Sequence, residues 1–227
     1  MPSLRLLTYN VRSMRDDRAA LARVIRSAQA DVVLVQESPR FARWRSLCAE
    51  LARTSNLVVV SGGRPAGSNL IMSSLGVDVV ATHDVLFSKR SRLHQRGAAI
   101  AQLTYRGSPF AVAGVHFSLD AAERAIHLGE LDAALARLVP PEVPVIVAGD
   151  INDIPGSPVW STLAVSRADV FAGAAHPLTA PAKAPAKTID AIFVDRRITV
   201  AGARVHNPAD TLVASDHLPV LAELDLP

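Results

Sequence analysis

Two β-sheets packed face to face with helices on their outer sides are the α/β architecture that three features of this 227-residue chain predict. Short apolar runs of strand character recur along the whole length, and amphipathic helical segments interrupt them in both halves. No Gly/Ser-rich linker and no repeat of solenoid period divides the chain. One domain over residues 1–227 is the expectation.

The elements follow in order. "LRLLTYNV" reads as a strand near the start. "DDRAALARVIRSAQA" sets Leu21, Val24, Ile25 and Ala28 at helical spacing, with Asp16 and Asp17 placed to cap the first turn. "DVVLVQE" is a continuous apolar strand, and a second helix is predicted from about Pro39 to Ala52. From Asn56 to Phe117 the pattern is mostly strands, "NLVVVS", "SNLIMSS", "VDVVATHDVLF", "GAAIAQLTY" and "PFAVAGVHFS", separated by turns such as "SGGRPAG". Glu123 to Leu138 is an amphipathic helix, and "VPVIVAGD" is the next strand. "GSPVWSTLAV" holds a short helix with Ser157 as cap and Pro158 at its first position. The Ala, Pro and Lys content of residues 172–187 predicts an extended, mobile loop. "TIDAIFV", "ITVAGARVH" and "LPVLAELDL" close the chain as strands.

Composition narrows the function classes. Apolar residues make up 49% and charged residues 20%, as in ordinary globular proteins. A net charge of +3, spread along the chain rather than in blocks, is compatible with an anionic substrate without requiring one. Aromatics at 4% argue against a stacking platform for single-stranded nucleic acid. Cys48 is the only cysteine, which excludes an internal disulfide and a Cys-based zinc site and leaves a small buried hydrophobe on a helix. "MPSLRLLTYNVRS" has no signal-peptide core, and no apolar run reaches the roughly 18 to 20 residues that span a bilayer. A soluble, cytoplasmic monomer without a membrane span or protein partner is expected.

In "VAGDIND", Asp150 and Asn152 stand at the end of an apolar strand, where residues i and i+2 would face one point. A metal ion, a phosphate or a plain Asx turn would each account for them. Asp153, out of phase, reads as a loop cap. Other polar residues share that position at the end of an apolar run. Asn10 follows "LLTY", Glu37 follows "VVLVQ", and His116 follows "FAVAGV". Asp190 begins "DAIFV", and Asp216 and His217 precede "LPVLAEL". Unpaired buried carboxylates are costly, so such groups need partners and converge only if the strand ends share a rim. Oxygen donors from Asp, Glu and Asn suit Mg²⁺, Mn²⁺ or Ca²⁺, and the histidines add proton transfer near neutral pH.

"TYNVR", "QE", "SNLIMSS", "RGAAIAQL", "GVHFS", "GDIND", "IDAIFV" and "SDHLPV" run in an order and spacing that resembles the endonuclease/exonuclease/phosphatase superfamily, from Leu4 to about Leu224. "QE" alone is weak, while "GDxN", "IDxIF" and "SDHxPV" in this order are specific. The resemblance implies a deoxyribonuclease-like, four-layer α/β/β/α sandwich and a metal-dependent phosphoesterase. It implies Glu37 as the principal metal carboxylate, with Asn10 and Asp216 near the same ion or a second one. Asp150 and Asn152 would address the scissile phosphate or its attacking water. His217, oriented by Asp190, would be a base or a phosphate-stabilising cation, and His116 would contact a phosphate oxygen from the other side. Mg²⁺ is the expected cofactor, with Mn²⁺ as the substitute.

Arg96 and Arg124 are candidates for substrate phosphate, as are Lys183 and Lys187, with solvated positions the plain alternative. His83, His94, His127, His176 and His206 read as surface or packing residues. "GVHFS" departs from the "YVPN"-like segment of family enzymes that cut at abasic sites, and "APAKAPAKT" before Asp190 departs from the inositol phosphatase pattern. The expectation is a compact phosphodiesterase, with DNA or RNA as first candidate substrate. A phosphomonoesterase or phospholipid-type diesterase is the alternative, and a catalytically silent binding module of the same fold is the rival from another class.

Overall fold

The computed structural model describes residues 1–90 and 92–227. Its first sheet contains β1 (Ser3–Asn10), β2 (Val32–Gln36), β3 (Val58–Gly63), β4 (Asn69–Ser73), β11 (Thr199–Val205) and β12 (Val220–Asp225), in the order β11-β12-β1-β2-β4-β3. The second holds β5 (Val77–Leu86), β6 (Gly97–Tyr105), β7 (Ser108–His116), β8 (Val145–Asp150), β9 (Ala168–Asp169) and β10 (Asp190–Val194), in the order β5-β6-β7-β8-β10-β9. Each sheet has one parallel pair at its centre, β1 with β2 and β7 with β8.

Period-two alternation divides every central strand between two hydrophobic layers. Leu4, Leu6, Val32, Leu34, Ile146 and Ala148 bury between the sheets. Leu7, Tyr9, Val33 and Val35 instead bury beneath α1 (Arg18–Ala28) and α2 (Trp44–Thr54), with Leu21, Ile25 and Leu51. Beyond the second sheet, Ala113, Val115 and Val147 pack on Leu131 and Leu135 of α3 (Ala121–Leu138) and Leu163 of α4 (Pro158–Ser166). The four-layer sandwich is therefore present.

Helix boundaries follow the local chemistry. Asp17 caps α1 by accepting from Ala19 N–H at 2.9 Å and Ala20 N–H at 3.0 Å. Asp120 caps α3 by accepting from Glu123 N–H at 2.8 Å, so the helix starts at Ala121, two residues ahead of the predicted Glu123. Ser157 occupies the cap position of α4 beside Pro158, but its hydroxyl donates to Ile154 instead. The helix predicted from Pro39 begins only at Trp44, because Arg43 turns left-handed at φ +61° and residues 39–43 form a loop. Two short elements escaped the pattern, β9 and α5 (Thr211–Ala214), both too brief for periodicity.

Residues 172–187, expected to be mobile, are pinned at several points. Thr179 N–H donates to Lys187 O at 2.7 Å, Ala182 N–H to Asp216 O at 2.7 Å, and Leu218 N–H to Thr179 O at 2.7 Å. Ala180 and Ala182 are buried. Composition foresaw the extended shape but not these backbone bonds to the segment carrying Asp216 and His217.

Gly149 lets β8 approach β7. At φ +155° it lies where a Cβ would come within 1.9 Å of Val115 O. Gly149→Ala is expected to cost on the order of 3 kcal/mol of stability and to disturb Asp150 next to it. Urea unfolding of the two proteins side by side checks this, and an unchanged midpoint would contradict the close approach.

Candidate functional site

The inter-sheet core turns polar at one end, and each strand does so in register. On β1 the inward series is Leu4, Leu6, Thr8, Asn10; on β2 it is Val32, Leu34, Gln36; on β8 it is Ile146, Ala148, Asp150. Strand pairing then sets the neighbours. Asp150 lies opposite His116 on one side and Asp190 on the other, while Asn10 lies opposite Gln36 on the facing sheet. The two sheets meet where Asn10 Nδ2 donates to Asp150 Oδ2 at 3.0 Å.

Around Asp150 the polar groups interlock. His116 Nε2 is 3.3 Å from Asp150 Oδ2, and His217 Nε2 is 3.9 Å from the same oxygen. His217 Nδ1–H donates to Asp190 at 2.9 Å. Asp150, Asp190 and His217 each offer a donor atom within 4.8 Å of the others, an arrangement that could hold a cation. Asn10 Nδ2 is also 3.5 Å from Glu37 Oε1. Glu37 sits at left-handed φ, +51°, and its carbonyl accepts from Ser13 N–H at 2.8 Å. The turn after β1 is left-handed through Arg12, Ser13 and Met14, and Asn10 Oδ1 holds it by accepting from Arg12 N–H at 3.0 Å. Left-handed non-glycine residues are strained, and strain of this kind collects at functional sites.

Burial sets the charges. Asp150 is buried, and desolvation together with the Asp190 carboxylate raises its pKa to about 7, against the pull of His217 and the Asn10 and Asn152 N–H groups. Burial alone would lower the His217 pKa, but its charge attraction and hydrogen bond to Asp190, aided by Asp150 and Asp216, raise it to about 10. His116 falls well below its ordinary value through burial, with Arg96 and His217 adding to the effect, and is neutral. Burial also lowers the Arg96 pKa, opposed by Asp150 and Glu37. Among the described residues no hydrogen bond or ion pair holds the Arg96 guanidinium. It faces a cleft of about 270 Å³ with Glu37, Arg40, His94 and His116.

Asn10, Glu37, His116, Asp150, Asp190, His217 and Arg96 are thus brought together, and three further candidates are placed differently. Asn152 is not the next residue of the strand, since β8 ends at Asp150 and Asn152 turns at φ +51°. Its N–H donates to Asp150 Oδ1 at 3.0 Å, an Asx turn, and its Nδ2 donates to Phe117 O at 3.0 Å. Asp216 directs a half-exposed carboxylate to Arg12 Nε at 3.2 Å, over a separate hollow that Lys183 also lines. Arg124 donates to the Ser118 and Leu119 carbonyls and pairs with Asp153 at 3.4 Å, so it braces loops instead of facing the cleft. Conversely His94, read as a surface or packing residue, lines the cleft, and its only signal was proximity to Arg96. His127 does pack, its ring stacked on Phe87 at 5.1 Å.

The two-sheet sandwich with a buried acid–histidine cluster at one end defines the architecture of a family whose members are metal-dependent phosphoester hydrolases. The model of the endonuclease/exonuclease/phosphatase family matches residues 7–217, and the chain belongs to that family. An endonuclease/exonuclease/phosphatase from Bacteroides vulgatus is 19% identical with a TM-score of 0.83 over 100% of both chains. A mannosyl-6-phosphatase from Bacteroides thetaiotaomicron is 16% identical with a TM-score of 0.84, over 98% of this chain and 100% of that one. D. rerio TDP2, complexed with single strand DNA product, is 18% identical with a TM-score of 0.74, over 99% of this chain and 100% of that one. At these identities the likeness shows the fold. No curated protein matches the sequence. Among the described residues no helix is long and apolar enough to cross a membrane.

Proposed function

We propose that the chain is a divalent-metal-dependent hydrolase of phosphodiester bonds, with nucleic acid as the first candidate substrate. The observation that carries this reading is the convergence of Asn10, Glu37, His116, Asp150, Asp190 and His217 at one end of the sandwich, at a cleft that Arg96 also lines.

The donor set fits a hard cation. Carboxylate oxygens without thiolate suit Mg²⁺ or Mn²⁺, and Asp150, raised to about 7 by burial first and by the Asp190 carboxylate second, would be relieved by a cation nearby. Glu37 would be the carboxylate that holds the ion, with Asn10 orienting it by donating from Nδ2 to both Glu37 and Asp150, whereas Asp216 is engaged by Arg12. When bound, such an ion neutralises phosphate charge and lowers the pKa of water. The chain's own residues supply the rest. Arg96 binds a non-bridging phosphate oxygen. The imidazolium of His217, kept charged by Asp190, stabilises the negative charge on the phosphoryl oxygens in the transition state. Asp150, held by Asn10 and Asn152, takes the proton of the attacking water as the P–O bond breaks, and the leaving oxygen takes one from solvent. Neutral His116 fixes the Asp150 carboxylate from the opposite side.

Bis-p-nitrophenyl phosphate, p-nitrophenyl phosphate, plasmid, an oligonucleotide, sphingomyelin and inositol phosphates, each with Mg²⁺, Mn²⁺ or EDTA, test the reading. Diester hydrolysis that stops in EDTA is expected. Activity persisting in EDTA would remove the metal, and turnover of the monoester alone would replace the diesterase by a phosphatase. A further expectation concerns Glu37→Gln. Its Mg²⁺ requirement should rise at least about tenfold, since one charged ligand is lost from a site of few. An unchanged Mg²⁺ titration would take Glu37 out of the metal site.

A further inference from the structure

The fold gathers several arginines that are separated along the chain. The loop before α2 and its first turn carry Arg40, Phe41, Arg43, Trp44 and Arg45, and Arg64 faces them across a hollow of about 760 Å³. That hollow shares Arg40, Gly67 and Ser68 with the cleft holding Arg96 and Glu37, so the two adjoin. Gly67, at φ +64°, makes the junction by lying on the Arg96 backbone, where a Cβ would come within 2.6 Å.

Acidic groups reach this strip only at its margins among the described residues, Glu37 in the cleft with Arg40 and Asp84 in a hollow with Arg45. No acidic residue occurs from Ser38 to Ala49 or from Ser61 to Asn69. Among the described residues none of Arg40, Arg43, Arg45 and Arg64 is in an ion pair, while Arg23, Arg167 and Arg197 elsewhere are held by Asp210, Asp132 and Asp195. Two aromatic rings stand among these cations. Trp44 is an anchor, with Gly63 pressed against its ring and the Arg45 guanidinium 4.3 Å from the ring centroid. Phe41 has no such cover. It is 71% exposed, with the Arg40 guanidinium 5.2 Å from its ring centroid.

We infer that the strip is a track for single-stranded nucleic acid beside the scissile phosphate, with backbone phosphates on Arg43 and Arg64 and one unstacked base on Phe41. The inference rests on the proposed phosphodiesterase reading and narrows its substrate. Arginines match phosphate geometry in pairs of hydrogen bonds, and while 4% aromatics supply no platform for a run of bases, one exposed ring can take a single unstacked base. A duplex keeps its bases in the stack and gives Phe41 nothing to hold. A small phosphate ester would fill the cleft and leave the larger adjoining hollow unused.

The test uses the full chain in EDTA and a fluorescein-labelled single-stranded oligonucleotide followed by anisotropy, so that binding is read without cleavage. Arg43→Glu/Arg64→Glu should weaken binding at least about tenfold and lower the slope of log K against log salt by about 1 to 2. Phe41→Ala should weaken single-strand binding about tenfold and leave duplex binding unchanged. All three positions are exposed, so thermal midpoints should stay within a degree or two. Arg64→Ala alone keeps the question open to decision should the double variant fold poorly. Hydrolysis of bis-p-nitrophenyl phosphate with Mg²⁺ should be unaffected, because that substrate does not reach the strip. Unchanged oligonucleotide affinity in the variants would overturn the track. So would strip-dependent binding of anionic lipid vesicles or inositol hexakisphosphate without oligonucleotide binding. A wild type that binds the oligonucleotide through these residues but hydrolyses no diester would sink the enzymatic reading and leave the track standing.

Discussion

Asp150→Asn protein is expected to lose about 10²–10³-fold in diester hydrolysis while becoming more stable than wild type in EDTA at pH 8. The two effects have one source. Asp150 is 2% exposed, between His116 and the second buried carboxylate of Asp190, and its folded pKa of about 7 lies far above that of an ordinary carboxylate. Between an unfolded value of about 4 and the folded value, the native state keeps a proton that the unfolded chain has released. Stability therefore falls as pH rises through this window and stays reduced above it. Asparagine has the same shape and no charge, but its single oxygen can accept from Asn10 Nδ2, now on Oδ2, or from Asn152 N–H, now on Oδ1, and not from both, which offsets part of the gain at every pH. The gain at pH 8 should be about 1–2 kcal/mol and should vanish toward pH 4. Thermal melts across that range decide the point. A variant destabilised more at pH 8 than at pH 4 would contradict the strained carboxylate, and undiminished turnover would take Asp150 out of the chemistry. Mg²⁺ should raise the wild-type melting temperature, because a ligand bound only by the folded state stabilises it, and should do so less for the variant.

How much of this was legible in the sequence depends on the kind of interaction. Alternation was legible, and it mattered most. The series Leu4-Leu6-Thr8-Asn10 and Ile146-Ala148-Asp150 states which face each strand turns to the other sheet and where that face becomes polar. The resemblance supplied the convergence that alternation could not, since nothing local links β1 to β8. Asn152 shows where the strand rule ends, because one left-handed residue past Asp150 breaks the period of two. Arg124 and Arg96 looked equivalent along the chain. Only three-dimensional packing shows that carbonyls and Asp153 hold the first while the second lines the cleft. The basic strip was invisible for a similar reason. Arg64 is remote in sequence from the loop at residues 39–43, which was itself assigned to a helix.

Asp190→Asn tests whether Asp190 and His217 act as a unit. Asp190 is 1% exposed and accepts from His217 Nδ1–H at 2.9 and 3.1 Å to its two oxygens. Burial works against a charged imidazole, and this pair is what overcomes it, raising His217 to about 10. A folded-state pKa above the unfolded value of about 6.5 means stabilisation that is complete below the latter and lost as pH climbs through the former. With asparagine at position 190 the imidazole keeps a hydrogen-bond acceptor but loses the negative charge, so burial prevails and its pKa falls. In EDTA, NMR of the His217 ring should show titration moving from near 10 toward or below neutrality, with stability at pH 7 lower by about 1–3 kcal/mol. At pH 8 the variant would present a neutral ring to the charged phosphoryl oxygens of the transition state, and turnover should drop about 10²–10³-fold. His217→Ala should lose a similar amount, and the double variant Asp190→Asn/His217→Ala little more than His217→Ala alone, because groups acting through one another are not additive. If the double variant fell by the product of the two single losses, Asp190 would act on the reaction independently of His217. An unmoved His217 titration would show that Asp190 does not set its charge.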